Sequence, residues 1–181
     1  MGGIIYNAAM AFGWFDKKEG PSSASGKLPA ISSLLTPELV VSCPEGADKD
    51  AFIKVLIGRM CEVRGLGDPD PFISRVLERE QGISTTLDSG LAVPHARIDG
   101  IESISAALGL VPQGISDPKQ PEYTIRAMFI FFSPNKQEHF TQHLQLLRSV
   151  SSLFQGDLLD TALVESDGNT VIELIRSKET A

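Results

Sequence analysis

The sequence predicts an α/β protein in which a β-sheet is sandwiched between helix layers. Three observations carry this. Residues 104–111 and 125–132 are apolar almost throughout, with Arg126 as the exception, as strands covered on both faces are. Stretches with apolar residues at spacings of three and four stand before and after these runs, which is the mark of helices burying one stripe. A third short apolar run, Leu91-Ala92-Val93, ends in Pro94, and the chain of 181 residues alternates such elements in the order expected of layered α/β folds.

The balance of 16 Lys and Arg against 23 Asp and Glu leaves a formal net charge of −7, which argues against nucleic-acid binding, since that needs a basic face. Two cysteines, Cys43 and Cys61, form neither a disulfide framework nor a metal-type spacing, so a reducing cytoplasm is the simplest setting. Residues 1–30 read as an apolar tail and linker. The run from Ile4 to Phe15 is too short to span a bilayer and has no Lys or Arg before it, and Ser22-Ser23-Ala24-Ser25-Gly26 is linker-like. Residues 31–181 form the folded domain.

Within that domain Thr36-Pro37-Glu38 starts a single turn and Leu39-Val40-Val41 is β-prone. Asp48 can cap a helix from Lys49 to Arg64 that Gly65 stops, with Phe52, Leu56, Met60 and Val63 as its stripe. A second helix starts near Asp70-Pro71, ends before Gly82 and buries Phe72, Ile73 and Val76. Ser84-Thr85-Thr86-Leu87-Asp88-Ser89-Gly90 reads as a loop rich in hydroxyls. The strand that follows should stop at Pro94, which has no N–H to give a ladder, leaving His95 at a strand end where α/β sheets place their ligands. Gln113-Gly114 and Pro118 to Pro121 connect the two long apolar runs, and Ser133-Pro134-Asn135 ends the second. A helix over residues 137–154 carries His143, Leu147, Val150 and Phe154 on one face, and short helices over 157–163 and 170–175 close the chain.

Arg79 before the hydroxyl loop, His95 at a strand end and His143 on an inward helix face share one explanation. A neutral imidazole is a good nucleophile near neutral pH. Phosphoryl transfer asks for donors to the charge on three equatorial oxygens, which a guanidinium, a second imidazole and loop hydroxyls supply without a metal.

At these residues the chain resembles the enzyme IIA domain of the fructose/mannitol type from the bacterial phosphoenolpyruvate-dependent phosphotransferase system. The resemblance runs through Leu34-Leu35-Thr36-Pro37-Glu38-Leu39, Leu77-Glu78-Arg79-Glu80, Ser84-Thr85, Gly90-Leu91-Ala92-Val93-Pro94-His95-Ala96-Arg97 and His143-Leu144-Gln145-Leu146-Leu147. It implies that His95 is phosphorylated, that His143 orients and stabilises the phosphoryl group, and that Arg79 serves the same site. Ser84, Thr85 and Arg97 are expected to support the phosphate. The only prosthetic chemistry implied is the covalent phosphohistidine, with no other cofactor and no metal. The implied fold is a mixed β-sheet between helices, the implied donor is the phosphohistidine carrier HPr or its nitrogen-branch relative, and a homodimer is among the expected assemblies. Because no IIB or membrane segment accompanies it, the chain is read as a nitrogen-regulatory type of IIA protein, whose partner is a target that senses phosphorylation. The alternatives are a IIA subunit passing phosphate to a IIB cysteine for sugar uptake, and a regulatory binding module that takes no phosphate.

The loop departs from the family pattern: Thr86-Leu87-Asp88-Ser89 stands where many relatives carry glycines and an asparagine. An inward Asp88 carboxylate would oppose a bound dianion, and an outward one would cap the turn. His139 and His143 stand four apart and with His95 could form a zinc site, but the His-Glu-x-x-His order of zinc hydrolases is absent. Cys43-Pro44 resembles a IIB phosphocysteine loop only locally, and both cysteines read as structural.

Overall fold

The computed structural model describes residues 28–181, so the apolar run and linker predicted in the first 27 residues lie outside the described residues. After 3-10 turns at Ile31–Leu34 and Pro37–Leu39, the elements are β1 (Val40–Ser42), α1 (Lys49–Arg64), α2 (Asp70–Glu80), β2 (Leu91–Ala92) and β3 (His95–Ile98). Then come β4 (Ser105–Asp117), β5 (Gln120–Pro134), a 3-10 turn at Gln137–His139, α3 (Phe140–Leu153), α4 (Asp157–Glu165) and α5 (Gly168–Glu179). The strands form one five-stranded sheet, ordered β1-β4-β5-β2 with β3 also on β5. It is mixed: β1 runs parallel to β4, β2 and β3 parallel to β5, and β4 antiparallel to β5.

Local sequence explains the helix ends. The Asp48 side chain accepts from the Ala51 N–H at 2.8 Å, and Gly65, at φ 65°, returns its N–H to the Cys61 carbonyl. Asp167 caps α5 in the same way, accepting from the Thr170 N–H at 2.9 Å. Phe52, Leu56 and Met60 are fully buried, and Val63 is half-buried at the edge of the stripe. α1 and α2 cover one face of the sheet: Phe72 packs on Phe132 with ring centroids 4.9 Å apart, and a Cβ on Gly109 would collide with Phe52 and Leu56. α3, α4 and α5 lie on the other face, where Phe129 meets Phe154 at 6.2 Å. Since side chains alternate along a strand, Phe129, Phe131 and Ser133 share that second face.

Three strand predictions need correction. Among the described residues there are five strands rather than the four runs read from the sequence, because the run at Leu91 is two strands instead of one. Pro94 interrupts the pairing on β5 without ending it. The Leu91↔Ala127 and Ala92↔Met128 register resumes with the same offset at His95↔Phe131. His95 is therefore the first residue of β3, not the last of a strand, and one missing N–H costs the ladder a rung but not its direction. Finally, Gln113-Gly114 is no loop. β4 and β5 form a long hairpin whose register shifts after Leu110, and Gly114 sits in that bulge at φ 68°. The connection shrinks to Pro118-Lys119.

Candidate functional site

His95 reaches the second sheet face by its register opposite Phe131, and the two rings stack at 5.5 Å with 14° between planes. From α3, His143 comes to 5.2 Å of His95 and 5.2 Å of Phe131, so one phenyl ring backs both imidazoles. His95 and His143 line a cavity of about 400 Å³ together with Arg75, Glu78, Arg79, Ala96 and Arg97. On a chain of net charge −7 this cavity gathers three guanidiniums and one carboxylate.

Each histidine has one nitrogen committed. Val93 presents its carbonyl oxygen 2.7 Å from His95 Nδ1, and since a carbonyl only accepts, Nδ1 carries the proton. Nε2 is then the unprotonated nitrogen. Burial pushes the His95 imidazole below its ordinary value of 6.5, and the Arg79 charge adds to it, against the Val93 hydrogen bond and the Glu80 charge. At neutral pH the ring is therefore an uncharged base. His143 is pushed down to about 4, first by burial and then by His95 and Arg97, and its Nδ1 lies 2.7 Å from Ser133 Oγ.

Among the predicted cationic groups, Arg79 donates through Nη1 to the Ile83 carbonyl at 3.0 Å. Arg97 donates to the Lys136 carbonyl at 2.8 Å and lies over the Phe140 ring at 5.1 Å, while its buried Nε has no hydrogen-bond partner among the described residues. Ser84 and Thr85 are not among the cavity's lining residues. Thr85 Oγ1 donates to Glu80 at 2.8 Å, and Ser84 Oγ donates to Asp117 and receives from Lys49. The hydroxyl loop is instead tied into a buried ionic cluster beside the cavity. Lys49, 4% exposed, lies 2.8 Å from Glu80 and 2.9 Å from Asp117, and Thr86 also donates to Asp117. Burial would raise the Asp117 carboxyl, but hydrogen bonds from Ser84, Thr86, the Lys119 backbone and Lys49 outweigh it and hold the group far below the carboxylate range. Asp88 is exposed, which is the outward of its two expected placements. His139 turns its Nδ1 to Gln142 at 2.9 Å, away from the cavity's lining, and among the described residues no three His, Cys, Asp or Glu side chains are grouped to hold a metal. Cys43 and Cys61 are both buried in the core.

The sequence reading missed Arg75, Phe131, Ser133 and the Lys49 cluster. Arg75 was legible as one turn before Arg79 on the same helix face. Phe131 and Ser133 follow from the strand alternation that places both beside Phe129. Nothing local marks Lys49, whose partners Glu80 and Asp117 are 31 and 68 positions away.

The fold is thus that of an α/β protein whose mixed sheet lies between helices, with two imidazoles meeting in an arginine-lined cavity. The chain belongs to the family described as the phosphoenolpyruvate-dependent sugar phosphotransferase system, EIIA 2, whose sequence model matches residues 33–178. EIIA components are phosphotransferase carriers. A fructose-specific EIIA component of Haloferax volcanii is 26% identical over 145 residues, covering 79% of this chain and 93% of that protein. A fructose-specific EIIABC component of Bacillus subtilis is 24% identical over 153 residues, and the chain spans 23% of its length. Solved structures share the fold. The nitrogen regulatory protein IIA-Ntr of Neisseria meningitidis superposes with a TM-score of 0.71 at 19% identity, covering 80% of this chain and 98% of that one. The IIA chain in a complex of mannitol enzyme IIA with phosphorylated IIB from Escherichia coli gives 0.63 at 17%, covering 79% and 97%. No helix among the described residues is long and apolar enough to cross a membrane.

Proposed function

We propose that the protein is a phosphohistidine carrier in which His95 Nε2 takes a phosphoryl group from an HPr-like phosphohistidine and hands it on. The observation that supports it most is the state of His95: uncharged, with Nδ1–H bound to the Val93 carbonyl, and beside His143 in a cavity lined by Arg75, Arg79 and Arg97. In the transfer, the Nε2 lone pair forms a bond to phosphorus as the donor's N–P bond breaks. The donor nitrogen leaves with that electron pair, so no water and no metal is consumed. Arg79 and Arg97 balance the charge on the equatorial oxygens, and Phe131 holds the nucleophilic ring flat.

The acceptor we infer is a cysteine of a IIB domain, a reading supported by the sugar-specific names of the relatives at 24–26% identity. The nitrogen-regulatory role expected from the sequence uses the same site differently: a phosphoryl group adds about −1.5 to −2 charge, enough to reverse complementarity with a target. The test is to phosphorylate the protein with phosphoenolpyruvate, enzyme I and HPr, then add candidate IIB domains. Discharge onto a IIB cysteine supports the transport reading. A stable phosphoprotein that no IIB discharges, and that gains or loses a bound target, supports the regulatory one. No uptake of phosphate overturns both.

A further inference from the structure

β5 is apolar from Ala127 to Phe132, and Ser133 is the polar residue that ends the run. It is fully buried and its hydroxyl has a single hydrogen-bond partner among the described residues, His143 Nδ1 at 2.7 Å. Two arrangements fit that distance. If Nδ1–H donated to Oγ, the serine proton would have nowhere to go in a site without exposure. If Oγ–H donates to Nδ1, proton and ring lone pair satisfy each other and only the hydroxyl's own two lone pairs are left over. Burying a donor without an acceptor is the costlier of the two omissions.

We propose that Ser133 is a positioning residue whose Oγ–H donates to His143 Nδ1 and so holds that ring in the Nε2–H tautomer, with the N–H presented to a phosphoryl group on His95. The last clause rests on the phosphocarrier reading; the tautomer does not. The two imidazoles then carry opposite tautomers from opposite partners. A carbonyl takes the Nδ1 proton of His95 and leaves Nε2 a nucleophile. A hydroxyl fills the Nδ1 lone pair of His143 and leaves Nε2–H a donor. Because His143 stays uncharged at neutral pH, it has one ring proton, and its place decides whether the ring donates to the phosphoryl oxygens or repels them. Phe131, two residues before Ser133 on the same strand face, sets the spacing by packing against both rings.

The test is a long-range ¹H–¹⁵N correlation of the histidine rings in the ¹⁵N-labelled full chain near neutral pH. The wild-type protein should show His143 with an unprotonated Nδ1 and a protonated Nε2, and His95 the reverse. A protonated Nδ1 on His143 overturns the proposal whatever the variants do. In Ser133→Ala the His143 signals should move toward a mixture of tautomers while those of His95 stay put, and a His143 spectrum unchanged from wild type contradicts the assignment. Phosphoryl uptake from phosphorylated HPr should fall about three- to thirtyfold in Ser133→Ala, less than for loss of a donor outright. An unchanged rate would overturn the role in transfer. Should the wild-type chain take up no phosphate, the phosphocarrier reading fails, and the ring spectra decide the tautomer by themselves.

Discussion

His95 Nδ1 and the Val93 carbonyl oxygen are 2.7 Å apart, across the proline that breaks the strand between them. Pro94 takes one N–H out of the ladder, and the bent chain brings the carbonyl of Val93 back to the ring of His95. The carbonyl of the residue that follows one short strand thus settles which nitrogen of the next strand's first residue carries the proton.

That free base has a predictable pH response. The folded value of His95 lies below 6.5, chiefly through burial, so the ring stays unprotonated down past that pH. Initial rates of uptake from pre-phosphorylated HPr should fall as the pH is lowered and reach half their plateau below about pH 6.5. A half-maximal rate above 6.5 would show that the ring is not held in this environment.

On the phosphocarrier reading, the cavity's arginines act on the charge of the transferring group. Arg79→Ala should slow uptake by about ten- to a thousandfold, while Arg79→Lys keeps charge but loses the paired donors and should fall between. His143→Ala should lose a similar factor. Rapid-quench measurement of phosphoprotein formation checks this, and a wild-type rate in Arg79→Ala would remove it from the site.

Lys49 is a structural cation. It sits 2.8 Å from Glu80 and 2.9 Å from Asp117 with almost no exposure, so removing it strands two buried carboxylates. Lys49→Ala should cost about 3–5 kcal/mol in urea unfolding. A loss below about 1 kcal/mol would mean that the cluster is wetter than its geometry shows.

His143 links stability to pH. Unfolded, the ring takes up a proton below about 6.5, whereas the folded ring stays neutral to about 4. The unfolded state therefore binds more protons across that window, and stability drops as the pH falls from 6.5 to 4, by up to about 3 kcal/mol from this group. His95 shifts in the same direction and adds to the slope. Urea midpoints at several pH values should decline over this range, and the decline should be shallower in His143→Ala. Equal slopes in the two proteins would contradict the burial of an uncharged ring.

Much of this architecture was legible before any coordinates. The helices with caps in the sequence, such as Asp48 to Gly65, fall where their end signals stand, because capping is local chemistry. The meeting of Arg79, His95 and His143 followed from the family resemblance and from His143 lying on a buried helix face. What the sequence hid was non-local. Gly114 reads as a loop residue until a partner strand shows that it fills a bulge, and Pro94 reads as a stop because only β5 reveals that the pairing resumes. Ser84 and Thr85 look unclaimed in the sequence for the same reason: their carboxylate partners Glu80 and Asp117 are brought to them only by the fold.

The measurement closest to the central claim is to locate the phosphate after incubation with phosphoenolpyruvate, enzyme I and HPr, by ³¹P and ring-¹⁵N spectra. One acid-labile phosphate per chain on His95 Nε2, absent from His95→Ala and formed more slowly in His143→Ala, is the predicted result. Equal labelling of wild type and His95→Ala, or phosphate on Nδ1 or on another residue, would contradict it.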